Sequence, residues 1–298
     1  MTGLDIEQYA IEVGRSETGM PDWNLPIDHW SPSSLGMFMR CPYQWQQRYI
    51  RGLKKRPAEA PMVGSAVHGA IEKNFAQKVE SREDIPIIDL LDAYAEEIFP
   101  AQVVREQEQS GFEMVWDTDF ERARQRGKVM LSAYHGEVSP RVQPLAAEGK
   151  VSVDLGAPVP VIGRFDVEKA MGVIDVKTGR RKYLKPRTDW LIQAAVYSEA
   201  KEKPVEFHSV SATMRKDGGT GTISVVTPLE SEALLVHPTR DERAEMRRSI
   251  RTVSAMACMF MAMYGPDEDW PATGRIFHDW ACDYCGFIEG CPAWKGTR

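Results

Sequence analysis

The sequence predicts an α/β fold: a central mixed sheet that carries a β-hairpin, with helices packed on its faces. Three observations predict it. Two β-like runs, 161–168 and 172–177, flank a Lys-Ala-Met-Gly turn, the pattern of a hairpin. The second run is apolar on both sides of Asp175 (Val173, Ile174, Val176), as in a strand buried in the middle of a sheet. Segments with helical periodicity lie before and after the hairpin.

Residues 1–30 mix Gly, Pro and acidic residues without periodicity and read as a loosely packed lead-in segment. Ser31-Pro32-Ser33-Ser34 is a helix-start signal, with Leu35, Phe38 and Met39 as the apolar face behind it. Cys41-Pro42 interrupts this helix. Tyr43, Trp45 and Tyr49 follow among Arg48 and Arg51, an arrangement that suits either a core or stacking on nucleic-acid bases. Residues 62–79 read as a helix carrying Val63, Val67, Ala70, Ile71 and Phe75, with His68 beside Val67. Two charged amphipathic helices, 86–107 and 117–138, form a helical insertion over residues 84–140. A strand over 148–155 precedes the hairpin, starting at Glu148. The helix after the hairpin carries Gln193 and Tyr197 at i and i+4, hence on one face. Residues 205–214 and 220–228 form a strand pair around Lys216-Asp217-Gly218-Gly219. A long helix then spans 239–263, its arginines interleaved with Asp241, Glu242 and Glu245.

With 298 residues, 43% of them hydrophobic, the chain can bury a sizeable core as one large domain. No apolar run approaches the ~20 residues of a membrane-spanning helix. The N-terminus lacks a basic region followed by an apolar stretch, so no secretory signal is evident and a cytoplasmic protein is expected. In that compartment its five cysteines are metal ligands or free thiols rather than disulfides. A net charge of −6 excludes a generally sticky nucleic-acid binder. The charge is segregated, however: 48–56 and 177–187 are purely basic, whereas 80–121 is acidic, which allows DNA to bind at one place.

The chemistry centres on the hairpin. Asp166 lies in its first run, and Asp175 and Lys177 lie two apart in the second, so their side chains leave the same face. Two carboxylates and an ammonium converging near a buried strand are costly unless a hard cation such as Mg²⁺ or Mn²⁺ takes their oxygens. Arg180, Arg181 and Lys182 follow at once, a basic run placed to meet DNA.

These residues resemble the PD-(D/E)XK nuclease superfamily, in particular its RecB-like exonuclease branch. The resemblance rests on G-x-x-D at 163–166, D-x-K-T-G at 175–179, Q-x-x-x-Y at 193–197 and, upstream, G-x-x-x-H at Gly64 and His68. It extends from about Ser31 to Cys291 and implies one nuclease domain over 31–298 with a restriction-endonuclease-like core. It further implies Asp166, Asp175, His68 and the Val176 carbonyl as metal ligands, with Lys177 as the catalytic cation. Gln193 and Tyr197 would contact DNA or brace Lys177. In relatives an acidic residue at the position of Glu148 sometimes helps to hold the metal; here an exposed strand end accounts for it equally.

The C-terminal stretch F-H-D-W-A-C-D-Y-C-G-F-I-E-G-C-P places Cys282, Cys285 and Cys291 in a C-x2-C-x5-C array within 276–298. With Cys41 they make four thiolates, which suit a structural zinc or a 4Fe–4S cluster. One distant cysteine plus three clustered ones resembles the iron–sulfur staple of the AddB and CRISPR-adaptation nucleases, and an iron–sulfur subdomain is expected. Cys258, in a Met- and Ala-rich helix, reads as a small buried hydrophobe. The function expected is a metal-dependent DNA exonuclease acting on single-stranded DNA or DNA ends. The resemblance adds possible protein partners in recombination, replication or CRISPR adaptation. No phosphate-binding loop motif is present, so ATP hydrolysis is not expected. The alternative is an iron–sulfur DNA-binding or assembly module that does not cut.

Overall fold

A computed structural model describes residues 25–180, 183, 186–212, 223–226, 235–236 and 238–294. Its centre is a six-stranded mixed sheet. The strands are β1 (Pro144–Val153), β2 (Val161–Lys169), β3 (Gly172–Gly179), β4 (Val205–Ala212), β5 (Ile223–Val226) and β6 (Leu235–Val236). They lie in the order β1-β2-β3-β4-β5, with β6 also pairing β4. β1, β2 and β3 are successively antiparallel, whereas β3 and β4 run parallel. A parallel pair needs a crossover, and the helix carrying Gln193 and Tyr197 supplies it. β3 therefore has a neighbour on each edge, and Val173 through Val176 are buried. The strand pair expected around 216–219 is present as antiparallel β4 and β5, while the turn itself lies outside the described residues.

The helices are α1 (Pro32–Arg40), α2 (Pro42–Tyr49), α3 (Glu59–Ser81), α4 (Ile87–Ala93), α5 (Phe99–Ser110), α6 (Phe120–Glu137), α7 (Thr188–Lys201) and α8 (Arg240–Tyr264), followed by the short turns Gly274–Phe277 and Asp279–Cys282. They form one layer on each face of the sheet. On the first face, α3 to α6 bury Val67, Phe75, Met130 and Tyr134 against Val167, Ile174, Val176 and Val210. On the second, α1, α2, α7 and α8 bury Phe38, Trp45, Tyr197 and Ile250 against Val161, Phe165, Val173 and Phe207. Within the 84–140 segment, α6 packs directly on β4 and β5, and the Tyr134 hydroxyl lies 2.9 Å from His208 Nδ1.

The helix expected over 86–107 is interrupted. A π-helical turn at Tyr94–Ile98 joins α4 to α5, with the Phe99 N–H bonded to the Tyr94 carbonyl five residues back. Pro100 supplies the reason, because a proline in a continuing helix donates no N–H and crowds the preceding turn.

The packed fold starts before Ser31. Trp30 is fully buried, donates its N–H to the Pro160 carbonyl at 2.9 Å and accepts from Ile162 at 2.7 Å. Tyr43 and Trp45 are core residues, and Trp45 stacks on Trp270 at 5.6 Å between ring centroids. Gln46 secures the same junction: its amide donates to the carbonyls of Pro266 and Glu268 and accepts from the Trp270 N–H. The two ends of the described chain are therefore joined through α2.

Candidate active site

Four elements bring the candidate residues together: α3 carries His68, β2 Asp166, β3 Asp175 and Lys177, and α7 Gln193 and Tyr197. Between β2 and β3 the paired residues are Val167 with Ile174, Glu168 with Val173 and Lys169 with Gly172. Beyond them the Asp166 side chain takes over, and its Oδ2 accepts the Val176 N–H at 2.5 Å. Its other oxygen lies 2.9 Å from His68 Nδ1.

On β3, Asp175 Oδ1 lies 2.7 Å from Lys177 Nζ, which also donates to Gln193 Oε1 at 2.6 Å. The ammonium stands 5.7 and 5.6 Å from the ring centres of Trp190 and Phe207, which screen it from water. The Tyr197 hydroxyl reaches the Arg164 carbonyl and lies 3.2 Å from Asp175 Oδ2. Gln193 is thus hydrogen-bonded to Lys177, whereas Tyr197 meets Asp175 and not the lysine.

Two glycines permit the close approaches. A Cβ on Gly64 would stand 2.6 Å from Thr178 Oγ1, so only glycine lets α3 pass over the end of β3 and set His68, one turn later, beside Asp166. A Cβ on Gly163 would stand 2.6 Å from Tyr197 Cε1, in the space the tyrosine ring fills.

The electrostatics separate the carboxylates. Burial and the charge of Asp166 hold the Asp175 carboxyl above its ordinary range, against the opposing pull of Lys177. Asp166 lies below its range: burial opposes ionisation, but His68 and the Val176 N–H outweigh it. Burial works against a charged His68, yet the Asp166 carboxylate overcomes it and raises the imidazole. Burial, then Asp175 and Asp166, push the Tyr197 phenol far up, so it stays a donor.

The donor set is chemically that of a hard cation: carboxylate oxygens with one imidazole. In the arrangement described, the carboxylates are held by protein donors, and among the described residues no three His, Cys, Asp or Glu groups converge as an ion's ligands. A cation held by these oxygens would have to displace the His68–Asp166 and Lys177–Asp175 contacts.

Sequence reasoning missed Glu72. One turn beyond His68 on α3, the exposed Glu72 faces Glu148, and its carboxyl is raised by partial desolvation, by Glu148 and by Asp166. Its signal was its i+4 spacing from His68. Glu148 has a left-handed backbone, at φ 46°, and also lies 3.3 Å from Arg164. Arg180, read as a DNA contact, is ion-paired with Asp117 from the loop before α6. Arg181 and Lys182 lie outside the described residues.

Away from the hairpin, Cys41, Cys282, Cys285 and Cys291 line one small cavity, with Ala272, Ala281, Ile288 and Ala293 among its other walls. Burial raises the Cys285 and Cys291 thiols; backbone N–H groups lower them, and the neighbouring cysteines raise them further. Cys41 sits in extended conformation at the break between α1 and α2, and Tyr43 donates to the Gly290 carbonyl at 2.7 Å. Cys258 is only half-buried on α8, its thiol pushed up to about 12 by desolvation.

Residues 29–292 match the model of the PD-(D/E)XK nuclease superfamily, and the chain belongs to that superfamily. Among solved structures it is similar to a protein from Eubacterium rectale provisionally described as an exonuclease, at 12% identity over 85% of this chain and 86% of that one, with a TM-score of 0.48. It is also similar to the protein SSO0001, at 14% identity over 76% of this chain and 96% of the other, with a TM-score of 0.31. No curated protein matches. Among the described residues no helix is long and apolar enough to cross a membrane.

Proposed function

We propose that this protein is a Mg²⁺- or Mn²⁺-dependent DNA exonuclease that hydrolyses phosphodiester bonds in single strands or at DNA ends. The observation that carries the reading is the convergence of Asp166, Asp175 and Lys177 at the splayed end of a hairpin, in a chain of a nuclease superfamily. Asp166, Asp175, His68 and the Val176 carbonyl would hold the cation. When bound, it supplies polarisation of the scissile phosphate and a more acidic water.

The remaining work falls to the chain. Lys177 presents its ammonium to charge developing on the phosphate and positions the attacking water. Gln193 fixes that ammonium through its 2.6 Å hydrogen bond, and Tyr197 orients the Asp175 carboxylate. Arg180, Arg181 and Lys182 contact the DNA backbone, Arg180 exchanging Asp117 for a phosphate. Cys41, Cys282, Cys285 and Cys291 hold a structural 4Fe–4S cluster, supported by the apolar cavity that all four line and by their spacing of one plus three.

The test of the exonuclease reading compares end-labelled linear single-stranded DNA with the same sequence covalently closed, both with Mn²⁺. Linear DNA should disappear much faster. Equal rates would make the protein an endonuclease.

A further inference from the structure

The segment that carries the three clustered cysteines exposes three of its aromatic residues, while Phe287 and Trp294 are half-buried. Phe277 is 71% exposed, Trp280 52% and Tyr284 80%. Large apolar side chains gathered on a surface mark a site of contact. The same segment packs on the basic run 48–56: a Cβ on Gly286 would stand 2.5 Å from the Lys55 Cβ, two residues from Tyr284. Lys54, Lys55 and Arg56 are exposed, and among the described residues no carboxylate stands within ion-pair distance of them. Arg56 instead lies over the Phe112 ring, at 5.8 Å.

We infer that Phe277, Trp280 and Tyr284, with Lys54, Lys55 and Arg56, form a docking surface for single-stranded DNA, separate from the residues of the hairpin site. The inference rests on the DNA-nuclease reading above and adds to it a place where the strand is held. Charge selects the occupant. Exposed aromatics on a segment packed against three exposed basic residues complement a flexible polyanion with unstacked bases, a local match on a chain whose net charge is −6. Duplex DNA hides its base faces, so it offers these rings nothing to stack on. Asp283 and Glu289 lie in the same segment, so the surface is no simple polycation and the rings must supply much of the binding.

The test measures fluorescence anisotropy of a short labelled oligothymidylate, and of an abasic oligonucleotide of equal length and charge, without divalent cation so that nothing is cut. The wild-type protein should prefer the oligothymidylate. Trp280→Ala and Tyr284→Ala should each weaken it by about tenfold, with little change for the abasic strand. Trp280→Phe and Tyr284→Phe, which keep a ring, should retain most of the affinity. Lys54→Ala with Arg56→Ala should weaken both ligands and flatten the salt dependence. The inference is overturned if wild type binds both strands equally, or if the alanine variants, folded as judged by an unchanged Tm, bind oligothymidylate like wild type. Protein that cuts DNA while these variants bind normally refutes this surface and leaves the nuclease reading intact. Protein that shows the ring-dependent binding but never cuts does the reverse.

Discussion

Replacing Gly64 with alanine sets two effects against each other. On a solvent-facing helix the change would stabilise by up to about 1 kcal/mol, because glycine is the poorer helix former. Here the new Cβ would stand 2.6 Å from Thr178 Oγ1, about 0.8 Å inside the 3.4 Å at which ordinary contact begins. Thr178 is β-branched and sits on β3, so it yields poorly, and overpacking of this kind costs about 1–3 kcal/mol. The clash wins: Gly64→Ala should lose up to about 2 kcal/mol, a Tm drop of several degrees for a chain this size. Lifting α3 by a fraction of an ångström also moves His68 away from Asp166, now 2.9 Å apart, and misplacement on this scale costs about ten- to a hundredfold in rate. The assay is thermal unfolding plus single-turnover DNA cleavage. Adding Thr178→Ala removes the clashing oxygen and should restore both. A single variant as stable and active as wild type, or a double variant that recovers neither, would refute this account of the glycine.

Tyr197→Phe keeps the packed ring but removes the single O–H shared between the Arg164 carbonyl and Asp175, so stability should fall by about 1–3 kcal/mol in chemical denaturation and cleavage should slow. Asp175 holds its proton more tightly folded than unfolded, so raising the pH above 3.8, through its raised native value, should destabilise the metal-free wild type relative to Asp175→Asn. Saturating Mn²⁺, which favours the ionised carboxylate, should oppose that loss; denaturation curves across pH that run parallel for the two proteins would remove the raised Asp175. Protein purified without oxygen should be brown, with iron and acid-labile sulfide, and Cys285→Ser should lose the colour and several degrees of Tm. Cys258→Ser should keep both, and the Cys258 thiol, raised to about 12, should alkylate slowly at neutral pH. Stoichiometric zinc without iron would overturn the cluster.

Local signals made much of this legible. The hairpin could be read because period-two alternation and a turn occupy one short stretch, and β3 because its apolar residues stand on both faces. The alternation also placed Asp175 and Lys177 on one side, where they meet. What stayed hidden depends on distant parts of the chain. Glu72 gains meaning only when β1 brings Glu148 against it, and Asp117 only when the loop before α6 reaches the end of β3. The aromatics of α2 suited core or surface equally until Trp270 arrived from the far end of the chain to stack on Trp45. The π turn ahead of Pro100 could have been anticipated, since proline marks where a helix must yield. Trp30 reads as lead-in because its partners, Pro160 and Ile162, lie far along the chain.

The central claim is that Asp166, Asp175 and Lys177 form a metal-dependent phosphodiesterase site, and one measurement reaches it most directly. Cleavage of labelled single-stranded DNA is followed with Mg²⁺ or Mn²⁺, with EDTA, and with Lys177→Ala protein whose DNA binding is measured in parallel. The account predicts cutting only with added cation, and a Lys177→Ala protein that binds DNA but has lost most of its rate. Full activity in EDTA, or in the Lys177→Ala protein, would contradict it.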